Sequence, residues 1–328
     1  MKRFSVTLAC LALLACGGSG GGPASGSAPV HLNVGYSEPV ADNLPLYIAK
    51  EAGIFAKHGL DVDVKQITST QGMAALLAGE IDLDDIGGSE VLSAAAQGGD
   101  VQALATLTPV WPYSFYAAPG ISSPADLKGK KIAITRPGGS LDIAVRVALK
   151  KMGLDPDRDV TMIQTGSVPN VIATLLSGQA QASVSKPPES MQLVARNFRV
   201  LLDLAQAKLP ASSVCVVARK SWVAAHKDVT QRYIDSIVEA IAREKKDRAY
   251  TVRVLAKYTQ SNDTAANEAS YDLYAKEVVQ SYPHPRSEQF ADAQAMLGKS
   301  NEKVASVDLT KLYDASFVKS AASRNIGG

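Results

Sequence analysis

The sequence repeats itself once, and that repeat constrains the architecture more than any other feature. Ala74–Asp85 (AALLAGEIDLDD) and Ala173–Val184 (ATLLSGQAQASV) share a Leu-Leu pair, at 76–77 and 175–176, and a glycine, at 79 and 178, each 99 positions apart. The match extends upstream. The alternating run Val62–Ile67 (VDVKQI) precedes the first copy and Val160–Gln164 (VTMIQ) the second, while Lys57–Asp61 (KHGLD) and Lys151–Asp155 (KMGLD) each close a helical pattern. Each copy therefore predicts strand, helix, strand, helix, strand, a mainly parallel α/β unit that builds one lobe. A period near 100 residues is too long for a solenoid. Two such lobes imply a cleft between them, where a ligand is expected.

The expected lobes are residues 30–109 plus part of 212–328, and residues 113–211, with the Pro109–Pro112 passage as the first crossover. A chain of 328 residues can support two cores. The spacing predicts helices from Pro45 to Phe55 and from Met73 to Ala78, and a loop at Ile86–Ser89. A strand over Val101–Leu107 is expected to run on toward Tyr116. From Trp222 onward the chain reads as helical, with Val229, Tyr233, Ile234, Ile237, Val238 and Ile241 at helical spacing.

The first sixteen residues read as an export signal. Lys2 and Arg3 lead a short apolar stretch that ends in Leu13-Leu14-Ala15-Cys16. Such a stretch is too short to span a bilayer. It resembles a bacterial lipoprotein signal, in which Cys16 becomes the lipidated first residue. Residues 17–29, rich in Gly and Ser, then form a tether of roughly 20 Å root-mean-square span. The expected location is the periplasm or cell surface, with a lipid anchor. Once Cys10 has left with the signal and Cys16 carries lipid, Cys215 stands alone and is expected to be a buried small hydrophobe. Lys and Arg total 34 against 32 Asp and Glu, and the signs are interspersed, which argues against a nucleic-acid surface.

In an open α/β sheet, ligands bind beyond the carboxyl ends of strands, where loops feed helix N-termini. Six such loops are rich in Gly, Ser, Thr, Asn and Pro. The candidates on the first lobe are Ser37, Asp42, Asn43, Thr70, Gln71, Gly88 and Ser89; on the second they are Arg136, Gly138, Ser140, Ser167, Pro187 and Glu189. For each hydroxyl the alternative role is helix capping. Arg136 is the sharpest of these, a fixed cation after a strand in a Gly-rich loop, suited to an acidic ligand group. Tyr113 or Trp111 at the crossover would stack on a flat portion of the ligand or pack in the core. Asp82, Asp84, Asp85 and Glu90 lack the spacing of a calcium loop and read as caps and surface. No catalytic, metal or phosphate-loop pattern is found, so neither enzymatic chemistry nor a cofactor is expected.

Leu46–Gly59 (LYIAKEAGIFAKHG), Ala75–Asp82 (ALLAGEID), Ile132–Arg146 (IAITRPGGSLDIAVR) and Ser185-Lys186-Pro187-Pro188 together resemble the substrate-binding proteins of nitrate/sulfonate/taurine-type ABC transporters. That group includes binders of thiamine-pyrimidine precursors. The likeness runs from about Val30 to Lys245. It implies a two-lobed periplasmic-binding-protein fold that closes on its ligand about a hinge, and is a poor guide to the ligand. The loops and Arg136 point instead to a small organic ligand with an anionic group, passed to a permease, and the chain is expected to be a monomer. Gln181 departs from the family, which commonly carries Asp there, and this puts a local cap in question. Two alternatives accompany the resemblance: a ligand-sensing lipoprotein, and a pyrimidine-synthesising enzyme of the same fold that depends on a cysteine-rich, iron-associated motif.

Overall fold

The computed structural model describes residues 28–328; the expected signal at 1–16, including Cys16, and the tether up to residue 27 lie outside the described residues. The chain opens with β1 (Val30–Tyr36), a single 3-10 turn (Ala41–Asn43), α1 (Leu44–Glu51) and α2 (Ile54–Lys57). Then come β2 (Leu60–Gln66), α3 (Ser69–Ala78), β3 (Leu83–Ile86), α4 (Gly88–Ala96) and β4 (Gln102–Thr106). After the proline passage follow β5 (Ser114–Ala117), β6 (Lys131–Ile134), α5 (Ser140–Lys151), β7 (Thr161–Gln164) and α6 (Val168–Leu176). β8 (Ala182–Ser185), α7 (Ser190–Val194), β9 (Arg199–Asp203) and β10 (Cys215–Ala218) complete the strands. The remainder is helical: α8 (Lys220–Ala225), α9 (Lys227–Lys246), α10 (Arg248–Thr259), α11 (Thr264–Tyr271), a π-helical stretch (Asp272–Val278), α12 (Glu288–Leu297) and three shorter pieces.

Two five-stranded sheets result, ordered β2-β1-β3-β10-β4 and β7-β6-β8-β5-β9. They are mixed rather than mainly parallel. β1 runs parallel to β2 and β3, and β6 parallel to β7 and β8, as the repeat predicts. The fourth strand of each order is antiparallel to both neighbours: β10 in the first sheet, β5 in the second. These are the strands that follow the crossovers. The expected single strand toward Tyr116 thus divides at the prolines, and its two parts enter different sheets.

The repeat is legible down to single bonds. Leu76 and Leu175 are both buried, each contributing roughly 1.5–3 kcal/mol by leaving water. Gly79 and Gly178 follow their helices with φ of 81° and 76°, the left-handed turn that a side chain would strain. Asp82 Oδ2 accepts from the Asn33 backbone N–H at 2.9 Å, and Gln181 Oε1 accepts from the Lys131 N–H at 3.1 Å at the equivalent position. Gln181 therefore keeps the bond that Asp82 makes in the first repeat.

One correction falls on β3. Asp84 and Asp85 are 1% and 0% exposed, neither caps nor surface. β3 is the central strand of its sheet, so both of its faces are covered and alternation cannot turn either side chain toward water. Cys215 is buried as expected, and burial pushes its thiol up to about 12. The expected apolar face of α9 is buried throughout, against a core that also takes in α1 and the first sheet. Helix α12 packs against both α4 and α5, one from each repeat.

Candidate ligand-binding site

A cleft of about 710 Å³ lies between the two sheets. Its wall on the side of the first sheet comes from the segment 37–43, Ser69, Gly87, Glu90, Ser213 and Val214. Thr259, Ser261, Asn267, Ser270 and Tyr274 extend that wall from the C-terminal helices. The facing wall is Tyr113, Thr135, Arg136, Gly139, Ser140, the start of α6 and the segment 184–189.

Of the expected candidates, Ser37, Asp42, Asn43, Tyr113, Arg136, Ser140, Ser167, Pro187 and Glu189 line this cleft. Thr70, Gln71, Gly88 and Ser89 do not, because the helices begin earlier than the spacing predicts, and Gly138, in the turn before α5, does not either. α3 starts at Ser69, with Thr68 as its N-cap residue, which leaves Thr70 and Gln71 as exposed helix residues. α4 starts at Gly88, and the Ser89 hydroxyl donates to Glu90 Oε2 at 2.7 Å. Gly138 gives its N–H to Asp142 Oδ2 at 2.9 Å. Their neighbours Ser69, Gly87, Glu90 and Gly139 reach the cleft instead. Trp111 is 4% exposed and belongs to the core.

The Arg136 side chain is exposed and lies along the Gly139 backbone, where an added Cβ would stand 3.3 Å from its Cγ. It takes part in none of the ion pairs among the described residues. Ser167 caps α6 by accepting from the Asn170 N–H at 3.4 Å.

The cleft is bridged by a group that spacing alone does not single out. Lys186 Nζ, on the loop after β8, donates to Asp42 Oδ2 at 2.6 Å and to the Tyr274 hydroxyl at 2.6 Å. Tyr274 in turn donates to the same Asp42 oxygen at 2.5 Å, and Thr108 Oγ1 reaches Asp42 Oδ1 at 3.3 Å. Lys186 also stands 5.5 Å from the Tyr113 ring centre. Burial alone would lower its basicity, but the Asp42 charge, with Tyr274 and Tyr113 beside it, holds the ammonium well above an ordinary lysine. Asp42 belongs to the β1–α1 connection and Lys186 to the β8–α7 connection, so the pair ties one sheet's loops to the other's.

Residues 41–246 match the family described as NMT1/THI5 like, more than half of the chain. The chain belongs to the NMT1/THI5-like family. It is 29% identical over 246 residues to a protein of Brucella abortus named as a binding protein, covering 68% of this chain and 74% of that one. A 4-amino-5-hydroxymethyl-2-methylpyrimidine phosphate synthase of Schizosaccharomyces pombe is 23% identical over 229 residues, 64% of each chain. The crystal structure of the periplasmic aliphatic sulphonate binding protein SsuA from Escherichia coli superposes with a TM-score of 0.70 at 23% identity. That match covers 87% of this chain and 97% of that one. The architecture of this NMT1/THI5-like chain is accordingly the two-lobed periplasmic-binding-protein fold.

Within the family match, the motif Ser185-Lys186-Pro187-Pro188 carries the bridging lysine. That motif is the only local mark it leaves, and nothing near it in sequence points to Asp42 as its partner.

Proposed function

We propose that this chain is the extracytoplasmic solute-binding component of an ABC importer, holding a small organic molecule in the cleft and passing it unchanged to a permease. The observation that carries this reading is the cleft itself. It is walled by loops of both sheets and presents Arg136, a guanidinium without an ion-pair partner among the described residues, beside the hydroxyls of Ser140 and Ser167. A ligand carboxylate or sulfonate there would gain charge-assisted hydrogen bonds. Tyr113 would cover a flat part. The name of the Brucella relative and the family match support a binding role. The protein is further read as a monomer, anchored to the membrane through lipid on Cys16.

A thermal-shift screen of small organic acids tests the binding reading, since a ligand bound only by the native state raises the melting temperature by mass action. The best compound is expected to lose roughly 1 kcal/mol or more of affinity in Arg136→Ala and in Ser140→Ala, the worth of one hydrogen bond or more. Unchanged affinity in both variants would remove these residues from the site. The anchor is tested separately: Cys16→Ala is expected to move the protein from the membrane to the soluble fraction, and unaltered partitioning would sink that claim.

The Schizosaccharomyces relative, a synthase, motivates the competing enzyme reading. Cys215, the one cysteine among the described residues, has a buried thiol pushed up to about 12 and is not poised for chemistry. Recovering the bound compound unaltered by mass spectrometry after incubation separates binding from turnover.

A further inference from the structure

The bridge across the cleft joins three separate segments. Asp42 lies between β1 and α1, Lys186 between β8 and α7, and Tyr274 in the π-helical stretch Asp272–Val278. Two of the three belong to one body. Tyr274 is 0% exposed and packs in the same core as Leu32 and Val34 of β1. Its hydroxyl already holds one Asp42 oxygen, and Thr108 reaches the other. The first sheet and its helices therefore present a preassembled socket, and Lys186 is the one group of the second sheet's loops that enters it.

The joint between the sheets is slender by comparison. The two crossovers run side by side: the Trp111 N–H donates to the Leu209 carbonyl and the Ala211 N–H to the Pro109 carbonyl, each at 3.0 Å, and Val110 pairs antiparallel with Pro210. Among the described residues, the hydrogen bonds that leave the segment 114–203 for the rest of the chain are the two made by Lys186 and one exposed ion pair, Lys299 to Asp157 at 3.0 Å. An exposed pair of that kind is worth little. Apolar packing of α12 on α4 and α5 accompanies them. Rotation about the crossovers would leave both sheets intact and pull Lys186 from its socket.

We infer that Lys186, Asp42 and Tyr274 form a latch that keeps the two lobes closed as the resting state of the protein, so that a solute enters through transient opening. Every bond in the latch is between groups of the chain, so closure satisfies them without help from a ligand. Opening returns the ammonium and the carboxylate to water, which offsets part of the loss. Fit decides the balance: both acceptors stand oriented before the lysine arrives, and little ordering is required of them. The open form that admits solute is then the minor one, and apparent affinity is reduced by its fraction. The inference deepens the solute-binding reading by saying how that site is gated.

Lobe separation is read by pulsed electron paramagnetic resonance with no solute added, on protein unfolded and refolded to strip any carried-over compound. Nitroxide labels are introduced through a keto-bearing amino acid at positions 74 and 173. Ala74 and Ala173 are equivalent, exposed positions on α3 and α6, one on each lobe. The parent is expected to give a single narrow distance. Asp42→Asn/Lys186→Met, which leaves no lone charge behind, is expected to move most of the population to a longer distance, and Lys186→Met to do the same. Leu149→Ala, a core substitution in α5 that also costs stability, is expected to keep the parent's distance. Comparable short and long populations in the parent, or a parent-like distance in the double variant, overturns the inference. Since the measurement contains no solute, that result leaves the solute-binding reading standing on its own thermal-shift test.

Discussion

Lys186→Met is expected to lower stability by about 3 kcal/mol, the scale of breaking a buried ion pair by removing one partner. Asp42 would remain, its side chain 3% exposed, with hydroxyl partners but no countercharge. For a chain of this size that is a fall of roughly 4–5 °C in melting temperature. The damage should be largely reversed in Asp42→Asn/Lys186→Met, because the uncompensated charge is then gone. Denaturant melts of the two single variants and the double variant give the coupling. If the double variant is as unstable as the sum of the singles, the two residues act independently and the bridge contributes no specific tie between the lobes.

The second large effect comes from the acids inside the first sheet. Asp84 and Asp85 are both buried and none of their carboxylate oxygens has a partner among the described residues. Burial raises both groups, Asp84 to about 7 with Glu90 adding repulsion, and Asp85 well above the ordinary value with Asp84 adding repulsion. A carboxyl raised in the folded state binds more protons there than in the unfolded chain, so stability falls as pH rises. For Asp84 the fall begins near the ordinary value of 3.8 and levels off above about 7. The gap corresponds to roughly 4 kcal/mol at most. Asp84→Asn is therefore expected to stabilise the protein at pH 8 and to change little at pH 4. Asp85→Asn should act in the same direction. Urea unfolding at both pH values measures this, and a variant less stable than the parent at pH 8 would refute it. The same carboxylate explains a close approach in the neighbouring strand: a Cβ at Gly35 would stand 2.5 Å from Asp84 Oδ1.

Much of the fold was legible because the repeat encodes hydrophobic spacing twice, and burial enforces it twice, as at Leu76 and Leu175. Parallel pairing of β1, β2 and β3 follows from helices placed between strands. The antiparallel β5 and β10 were not legible, since neighbours in space there are far apart in sequence and no local pattern marks which strand crosses. On the cleft, the loops were found but helix starts were set two to four residues late. Ser69 and Gly87 therefore reach the wall where Thr70 and Gly88 were expected. Lys186 escaped because its role is a pairing with Asp42, 144 positions away, and spacing within one segment carries no trace of it. Asp84 and Asp85 misled for a related reason: a carboxylate normally signals surface, and only the central place of β3 overrides that.

The strand exchange between the sheets has a consequence for how the chain can assemble. β4 joins its own sheet only through β10, which pairs with β3 on one side and β4 on the other. The residues of β10 are synthesised after the whole of the second sheet. Until Cys215–Ala218 arrive, β3 and β4 are two open edges with a gap of one strand between them. The first sheet thus cannot close while the strands of the second sheet are still being made. Folding is dominated by pairings of high sequence separation, which are slow to form. Closing the first sheet therefore waits on a strand that enters the chain after every strand of the second.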